Sequence, residues 1–309
     1  MPLPVLGELP QLSELRLAWR RFVDPRPVLI AVDNTRLVCC WSQGDRWRQR
    51  VATWPDGVCR DGVPLNREAV GDFIADLILD CDLPGAELVL CLPLNAAAWF
   101  VVDADGLSSD ELTGLLSSSL QSVDLPFDVD QSYITSSPVQ DAMAIVGVSR
   151  SLIDGWSEVA EIADLPLRRV DWSLTTAQRS LHQFTQAWHG DVAWIVVEGS
   201  SIRLVLLRQQ IPEVDHVLPK GDLPACQQEI RECVSAWQAR VDQPPALGWW
   251  FSAKPEQLDD WLGLIDGSAG ECCLNQPLPV LAESWDEGVA EVLSPLQHLA
   301  LMTLQKEER

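Results

Sequence analysis

The stretch Pro27-Val28-Leu29-Ile30-Ala31-Val32-Asp33-Asn34-Thr35-Arg36-Leu37-Val38-Cys39-Cys40-Trp41 decides the architecture. Val28 to Val32 is apolar at every position, the pattern of a strand covered on both faces rather than on one. Asp33-Asn34-Thr35 then supplies a tight turn, because Asp and Asn side chains accept hydrogen bonds from nearby backbone amides and tolerate positive φ. Leu37 to Trp41 reads as the returning strand. Trp47 to Trp54 adds a third strand, ended by Pro55-Asp56-Gly57. From Asn66 to about Asp80 the apolar positions Val70, Phe73, Ile74, Leu77 and Ile78 fall at helical spacing, Pro84-Gly85 stops that helix, and Glu87 to Leu92 is another buried strand.

The second half repeats this order. Val192 to Val197 is a buried strand, Glu198-Gly199-Ser200-Ser201 the turn, Ile202 to Leu207 the return and Ile211 to Leu218 the third strand. A helix from about Pro224 to Val241, a strand from Leu247 to Phe251, a helix from Pro255 to Ile265 and a short strand at Cys272 to Leu274 follow. A last helix runs from Glu287 to about Lys306, with Val289, Val292, Leu296, Leu299 and Met302 along one stripe. Three antiparallel strands, a crossover helix and a parallel strand, twice over, predict a duplicated α/β protein of two lobes with helices on both sheet faces.

Between the halves, Ser108-Ser109-Asp110-Glu111-Leu112 has the form of a capped helix start, ended by Leu125-Pro126-Phe127-Asp128. Ala142 to Val148 is a strand and Ser149 to Ala163 a helix. The expected division is a helical arm at 1–26, a first lobe at 27–100 plus 167–188, an inserted subdomain at 101–166 and a second lobe at 189–309.

Composition narrows the function. The 309 residues carry 22 Lys+Arg against 45 Asp+Glu, a net charge of -23, which repels nucleic-acid phosphates. Hydrophobic residues make up 47% of the chain, enough for a core and too many for a disordered protein. No secretory signal and no apolar run long enough to span a bilayer is present, so a soluble protein is expected. The nine cysteines include no Cys-x-x-Cys and no Cys/His zinc spacing; they read as small buried thiols of a reducing compartment, and no metal site is expected.

With these elements in place, the order of pieces resembles the actin-like (duplicated ribonuclease-H-like) fold, with a small inserted subdomain in the first lobe. More narrowly it is similar to the PilM family of pilus assembly proteins, relatives of the cell-division protein FtsA. Glu87 to Pro93 looks like that family's apolar strand ending in Leu-Pro. Asp110-Glu111-Leu112 leading to Leu125-Pro126-Phe127-Asp128 is similar to its helix before Ile-Pro-Phe. Ala142 to Arg150, Val159 to Pro166 and Val170-Asp171-Trp172 look like the family stretch ending in Val-Asp, and Gln228-Glu229-Ile230-Arg231 matches the helix after the second meander. The likeness covers residues 28–305.

The resemblance implies an ATP/Mg²⁺ site between two phosphate loops, and the departures from it fall on those loops. Actin-like ATPases carry Asp-x-Gly-Ser/Thr in the first hairpin, where glycine admits the phosphates and Asp holds hydrated Mg²⁺. Here the turn is Asp33-Asn34-Thr35, with no glycine. In the second loop Glu198-Gly199-Ser200 stands where Asp-x-Gly is expected, and Phe251-Ser252-Ala253-Lys254-Pro255 replaces the adenine-contacting Gly-Gly. Asp33, Thr35, Glu198, Gly199 and Ser200 are therefore expected to form a vestigial cofactor-binding set, with no catalytic residue and no bound cofactor.

Other constellations are bland. Asp259 and Asp260 are neighbours on a predicted helix and point apart, as on a solvated face. A two-metal nuclease of the ribonuclease H type would need a partner carboxylate for Asp33 near Leu92-Pro93-Leu94-Asn95, and none is there. Fourteen tryptophans stand out; Trp249-Trp250 and Trp99 are candidate partner contacts as well as core fillers. The arm's Leu12, Leu15, Trp19 and Phe22 beside Arg16, Arg20 and Arg21 fit an anionic membrane surface or the protein's own body.

The resemblance implies a cytoplasmic scaffold at the inner membrane that grips the cytoplasmic tail of a PilN-like bitopic membrane protein, with self-assembly into rings open and no nucleic-acid partner. The alternatives are an active actin-like ATPase or sugar/acetate-type kinase, using Asp33, Thr35, Glu198 and Ser200, and a type II secretion scaffold of the same fold.

Overall fold

The computed structural model describes residues 26–33, 35–43, 46–103, 128, 130–139, 142–185, 188–198, 201–218, 222–254, 257, 260–261, 272–274 and 294–308. The expected arm at 1–26, the helix starting at Ser108 and most of the helix expected from Pro255 lie outside the described residues.

The first lobe opens with β1 (Arg26–Val32), β2 (Arg36–Gln43) and β3 (Arg46–Thr53), an antiparallel meander with Val28 opposite Trp41 and Cys39 opposite Arg50. A two-residue hairpin not anticipated from sequence, β4 (Cys59–Arg60) and β5 (Val63–Pro64), precedes α1 (Arg67–Asp80). Asn66 caps α1 by accepting from the Ala69 amide at 3.1 Å. β6 (Ala86–Leu92) returns parallel to β1, with Leu29 beside Val89, and β10 (Leu167–Trp172) adds to the outer side of β6. The sheet order is β10-β6-β1-β2-β3.

The second lobe repeats it. β11 (Asp191–Glu198), β12 (Ser201–Arg208) and β13 (Ile211–Leu218) form the meander, and α4 (Leu223–Gln238) crosses over to β14 (Leu247–Ser252), followed by β15 (Cys272–Leu274). The order β13-β12-β11-β14-β15 is the same path through five strands. The duplicated actin-like α/β architecture expected from the sequence is the one found.

Between β6 and β10 lie β7 (Ala97–Asp103), β8 (Ser132–Val139) and β9 (Ala142–Ser149), a separate sheet of order β7-β9-β8, then α2 (Arg150–Ile162). The packing departs from an insert spanning 101–166. The small sheet starts at Ala97, and α2 returns to the first lobe, where Leu152, Trp156 and Val159 share a core with Val70 and Ile74 of α1. Gly71 permits that contact, since a Cβ there would lie 2.5 Å from Ile162 Cγ2.

Two helices fill the space between the lobes: α3 (Ser173–Thr185) and α5 (Pro295–Glu307). Leu29 and Ala31 of the first sheet, Trp194 and Val196 of the second, Leu174 and Leu181 of α3 and Leu299 and Leu301 of α5 join in one core. Every α5 residue from Pro295 to Gln305 is buried, where the sequence suggested a single apolar stripe. A helix held between two sheets and a partner helix is covered all round, so amphipathicity is lost. Of the two readings of the Trp249-Trp250 pair, the same two-sided cover favours core filler: Trp249 packs in the outer core of the second sheet and Trp250 in the inter-lobe core.

Candidate functional site

Asp33 and Glu198, which open the two hairpin turns singled out in the sequence, come together at one end of the inter-lobe core. In the first, Asp33 Oδ1 accepts from the Thr35 amide at 2.7 Å, the Arg36 amide at 2.8 Å and the Thr35 hydroxyl at 3.3 Å. Its other oxygen lies 3.5 Å from Arg36 Nε. The Asp33 carbonyl accepts from Trp54 Nε1 at 3.1 Å, tying the end of the third strand to the turn. The carboxylate is thus a brace of its own hairpin, an Asx turn.

In the second hairpin, Glu198 Oε1 accepts from the Ser294 hydroxyl at 2.7 Å. Ser294 is the N-cap of α5 and closes a capping box with Gln297, whose Nε2 donates to the Val32 carbonyl at 3.4 Å. The first turn of α5 therefore bridges the ends of β1 and β11. Burial pushes the Glu198 carboxyl above its ordinary range; the Ser294 hydrogen bond pulls it back and the Asp33 charge adds to the rise. The structure brings Asp33 and Glu198 to one place, with Thr35 exposed on the rim; Gly199 and Ser200 lie outside the described residues.

As arranged, the described part of the first turn does not offer a phosphate cradle. A phosphate cradle needs backbone amides free to point at the ligand, and the Thr35 and Arg36 amides are directed at Asp33. Of the two carboxylates, Asp33 Oδ1 serves the hairpin and Glu198 Oε1 the α5 cap, while Glu198 Oε2 is buried without a hydrogen-bond partner among the described residues.

A second feature is a cleft of about 660 Å³ between the first lobe and the small sheet. Its floor is one face of that sheet: Ala97 and Trp99 of β7 lie opposite Val148 and Val146 of β9, so alternation turns all four to the same side. Its wall is β10, an edge strand of the first sheet, through Val170, Asp171 and Trp172, with Gln178 and Arg179 of α3 above it. Gln210, from the β12–β13 turn of the second lobe, closes one end and accepts from Gln178 Nε2 at 3.4 Å. The charges at the rim are matched internally: Arg179 lies 3.4 Å from Asp171 and 3.0 Å from Glu307. What remains open is a largely neutral, apolar slot beside a sheet edge.

Sequence reasoning found Trp99 and the Val170-Asp171-Trp172 motif but not the cleft they share. β7 and β8 are separated by a long connection, β8 is mixed in polarity, and nothing in the sequence says which face they turn to β10. Among the described residues no group of three or more His, Cys, Asp or Glu is placed to hold a metal ion, and no helix is long and apolar enough to cross a membrane.

No family model matches the chain, and no curated protein sequence matches it. Solved structures do. A PilM-PilN type IV pilus biogenesis complex superposes with a TM-score of 0.67 over 92% of this chain and 98% of that one, at 14% identity. The cytoplasmic domain of EpsL, an inner-membrane component of the type II secretion system of Vibrio cholerae, superposes with a TM-score of 0.50 over 91% and 95%, at 11% identity. At such identities the likeness establishes the fold, over 92% of this chain for the first of the two.

Proposed function

We propose that this chain is a non-hydrolysing scaffold of a type IV pilus or related secretion assembly, whose cleft takes the cytoplasmic segment of a PilN-like bitopic inner-membrane protein. The observation that carries the reading is the slot between the small sheet and the edge strand β10. An edge strand offers unpaired backbone groups, and an apolar floor offers places for alternate side chains, which together suit an extended peptide. The neutral lining matches a segment without charge in its middle, and the net charge of -23 disfavours anionic ligands elsewhere. The structural likeness to a PilM-PilN complex supports a partner of that kind. The first hairpin turn, whose amides are taken by Asp33, and Glu198, tied to the α5 cap, support a role without nucleotide turnover. The protein then sits in the cytoplasm and reaches the inner membrane through its partner.

Calorimetric titration of the full chain with a synthetic peptide of the PilN-like protein's cytoplasmic N-terminus, from the same organism, tests this. Saturable binding that Ala144→Trp abolishes by filling the floor is the expected result. No heat with that peptide, together with binding to the cytoplasmic segment of a type II secretion component, would move the protein to the secretion reading.

A further inference from the structure

Arg203, on β12 of the second lobe, is buried and does not line the cleft. Its Nη2 donates to Asp215 Oδ2 at 2.7 Å, and its Nη1 donates to the Leu94 carbonyl at 3.0 Å, across the lobe boundary. The same carbonyl accepts from Trp172 Nε1 at 3.0 Å. The Arg203 guanidinium lies over the Trp172 ring, 5.2 Å from its centre, and the edge of Trp172 meets Trp99 at 5.8 Å in a T-shaped pair. Trp172 and Trp99 are both part of the cleft, one in its wall and one in its floor.

We propose that Arg203 is a positioning residue for the cleft: through the shared Leu94 carbonyl and the stacked indole, the second lobe fixes the Trp172–Trp99 wall and so sets how tightly the cleft holds a peptide. This rests on the peptide-binding reading for the identity of the ligand, though not for the placement of the wall. Physically, a buried guanidinium must satisfy its donors, and here two fixed acceptors, Asp215 and Leu94, leave it one orientation. That orientation presses a delocalised cation onto the indole face, which holds Trp172 against rotation. Losing the Arg203 contact would free the Leu94 carbonyl and the ring together, so that contact between the lobes and peptide affinity are coupled, and by linkage a bound peptide strengthens the contact.

The test uses the full chain and the PilN-like N-terminal peptide, with hydrogen exchange read by mass spectrometry beside the titration. Arg203→Met is expected to weaken peptide binding about tenfold and to speed exchange in segments 94–103 and 167–178 of the first lobe. Arg203→Lys, which keeps a cation with N–H donors but not the planar fork, recovers part of both. The double variant Arg203→Met/Asp215→Leu leaves no unpaired charge and serves if the single change prevents folding. A merely structural Arg203 would loosen its own strands at 201–218 and leave 94–103 and 167–178 at wild-type exchange; that result overturns the proposal, as does an affinity within twofold of wild type. If the wild-type chain does not bind the peptide, the functional reading fails while the exchange data still decide whether Arg203 holds the wall.

Discussion

The hydroxyl of Ser294 serves two partners at once: it accepts from the Gln297 amide at 3.1 Å to cap α5, and it donates to Glu198 Oε1 at 2.7 Å. A helix start is thereby fastened to the turn that follows β11, with the positive end of the helix dipole beside a carboxyl. In a nucleotide-binding protein of this fold class that turn faces a ligand. Here Glu198, at its start, is held by α5 of the same chain, and the consequences are measurable.

Glu198→Gln keeps an acceptor for Ser294 and removes a shielded charge beside Asp33. A carboxyl whose folded pKa is raised contributes stability that is present below its unfolded value, near 4.5, and lost as pH rises through the folded value. The Gln variant is therefore expected to melt no lower than wild type at pH 7, and to lose its advantage toward pH 4. Thermal unfolding across that range checks it; a clear fall in Tm at neutral pH would show that the charge itself is needed.

His298 gives a pH dependence of the opposite sign. It sits in the fully enclosed helix α5, and burial lowers its pKa from 6.5 to about 4. A base held neutral in the fold leaves the unfolded chain binding more protons between those values, so stability falls as pH drops from 6.5 to 4, by about 3 kcal/mol. Subtracting the denaturation curve of His298→Leu from that of wild type isolates this contribution. A difference that is flat with pH would mean the imidazole is charged inside the protein.

Trp156 is expected to be a large single contributor to the first lobe. It is completely buried among α1, α2 and the small β4–β5 hairpin, and its indole donates to the Gly62 carbonyl at 2.8 Å. Trp156→Ala removes packing and leaves that carbonyl without its donor, costing about 3–5 kcal/mol; Trp156→Phe costs less, chiefly the hydrogen bond. Urea denaturation of the three proteins gives the ranking.

Much of this was legible in the residues. Val28 to Val32 and Val192 to Val197 are apolar at every position, and only a strand covered on both faces uses such a run, so the duplicated meander and its crossover could be read directly. Asp33 and Glu198 could be placed at the two turns for the same reason. The partner of Glu198 could not be read: Ser294 is distant in sequence, and what binds it to Glu198 is the packing of α5 between the lobes. The cleft was hidden for a related reason. Its floor comes from β7 and β9 and its wall from β10, and their approach is a property of tertiary packing that alternation within each strand does not encode. Arg203 looked like an ordinary strand residue; that it is buried and paired with Asp215 follows from register across β12 and β13.

The hairpin turn itself separates the scaffold from the enzyme. If Asp33 braces its own turn, Asp33→Ala removes the acceptor for two backbone amides and a hydroxyl, and the expected effect is a loss of about 1–2 kcal/mol in stability with no change in ligand binding. Titration of wild type with Mg-ATP is expected to give no saturable heat at millimolar nucleotide. If Asp33 instead serves Mg²⁺, the wild-type chain binds nucleotide in the micromolar range and the Ala variant does not, while its melting temperature hardly moves. The two roles use the carboxylate differently, because Oδ1 accepts three hydrogen bonds from its own turn while Oδ2 has, among the described residues, only Arg36 Nε, 3.5 Å away, and is the oxygen an ion would meet. Run together, calorimetry and thermal melting of wild type and Asp33→Ala therefore decide between a braced hairpin and a working phosphate loop.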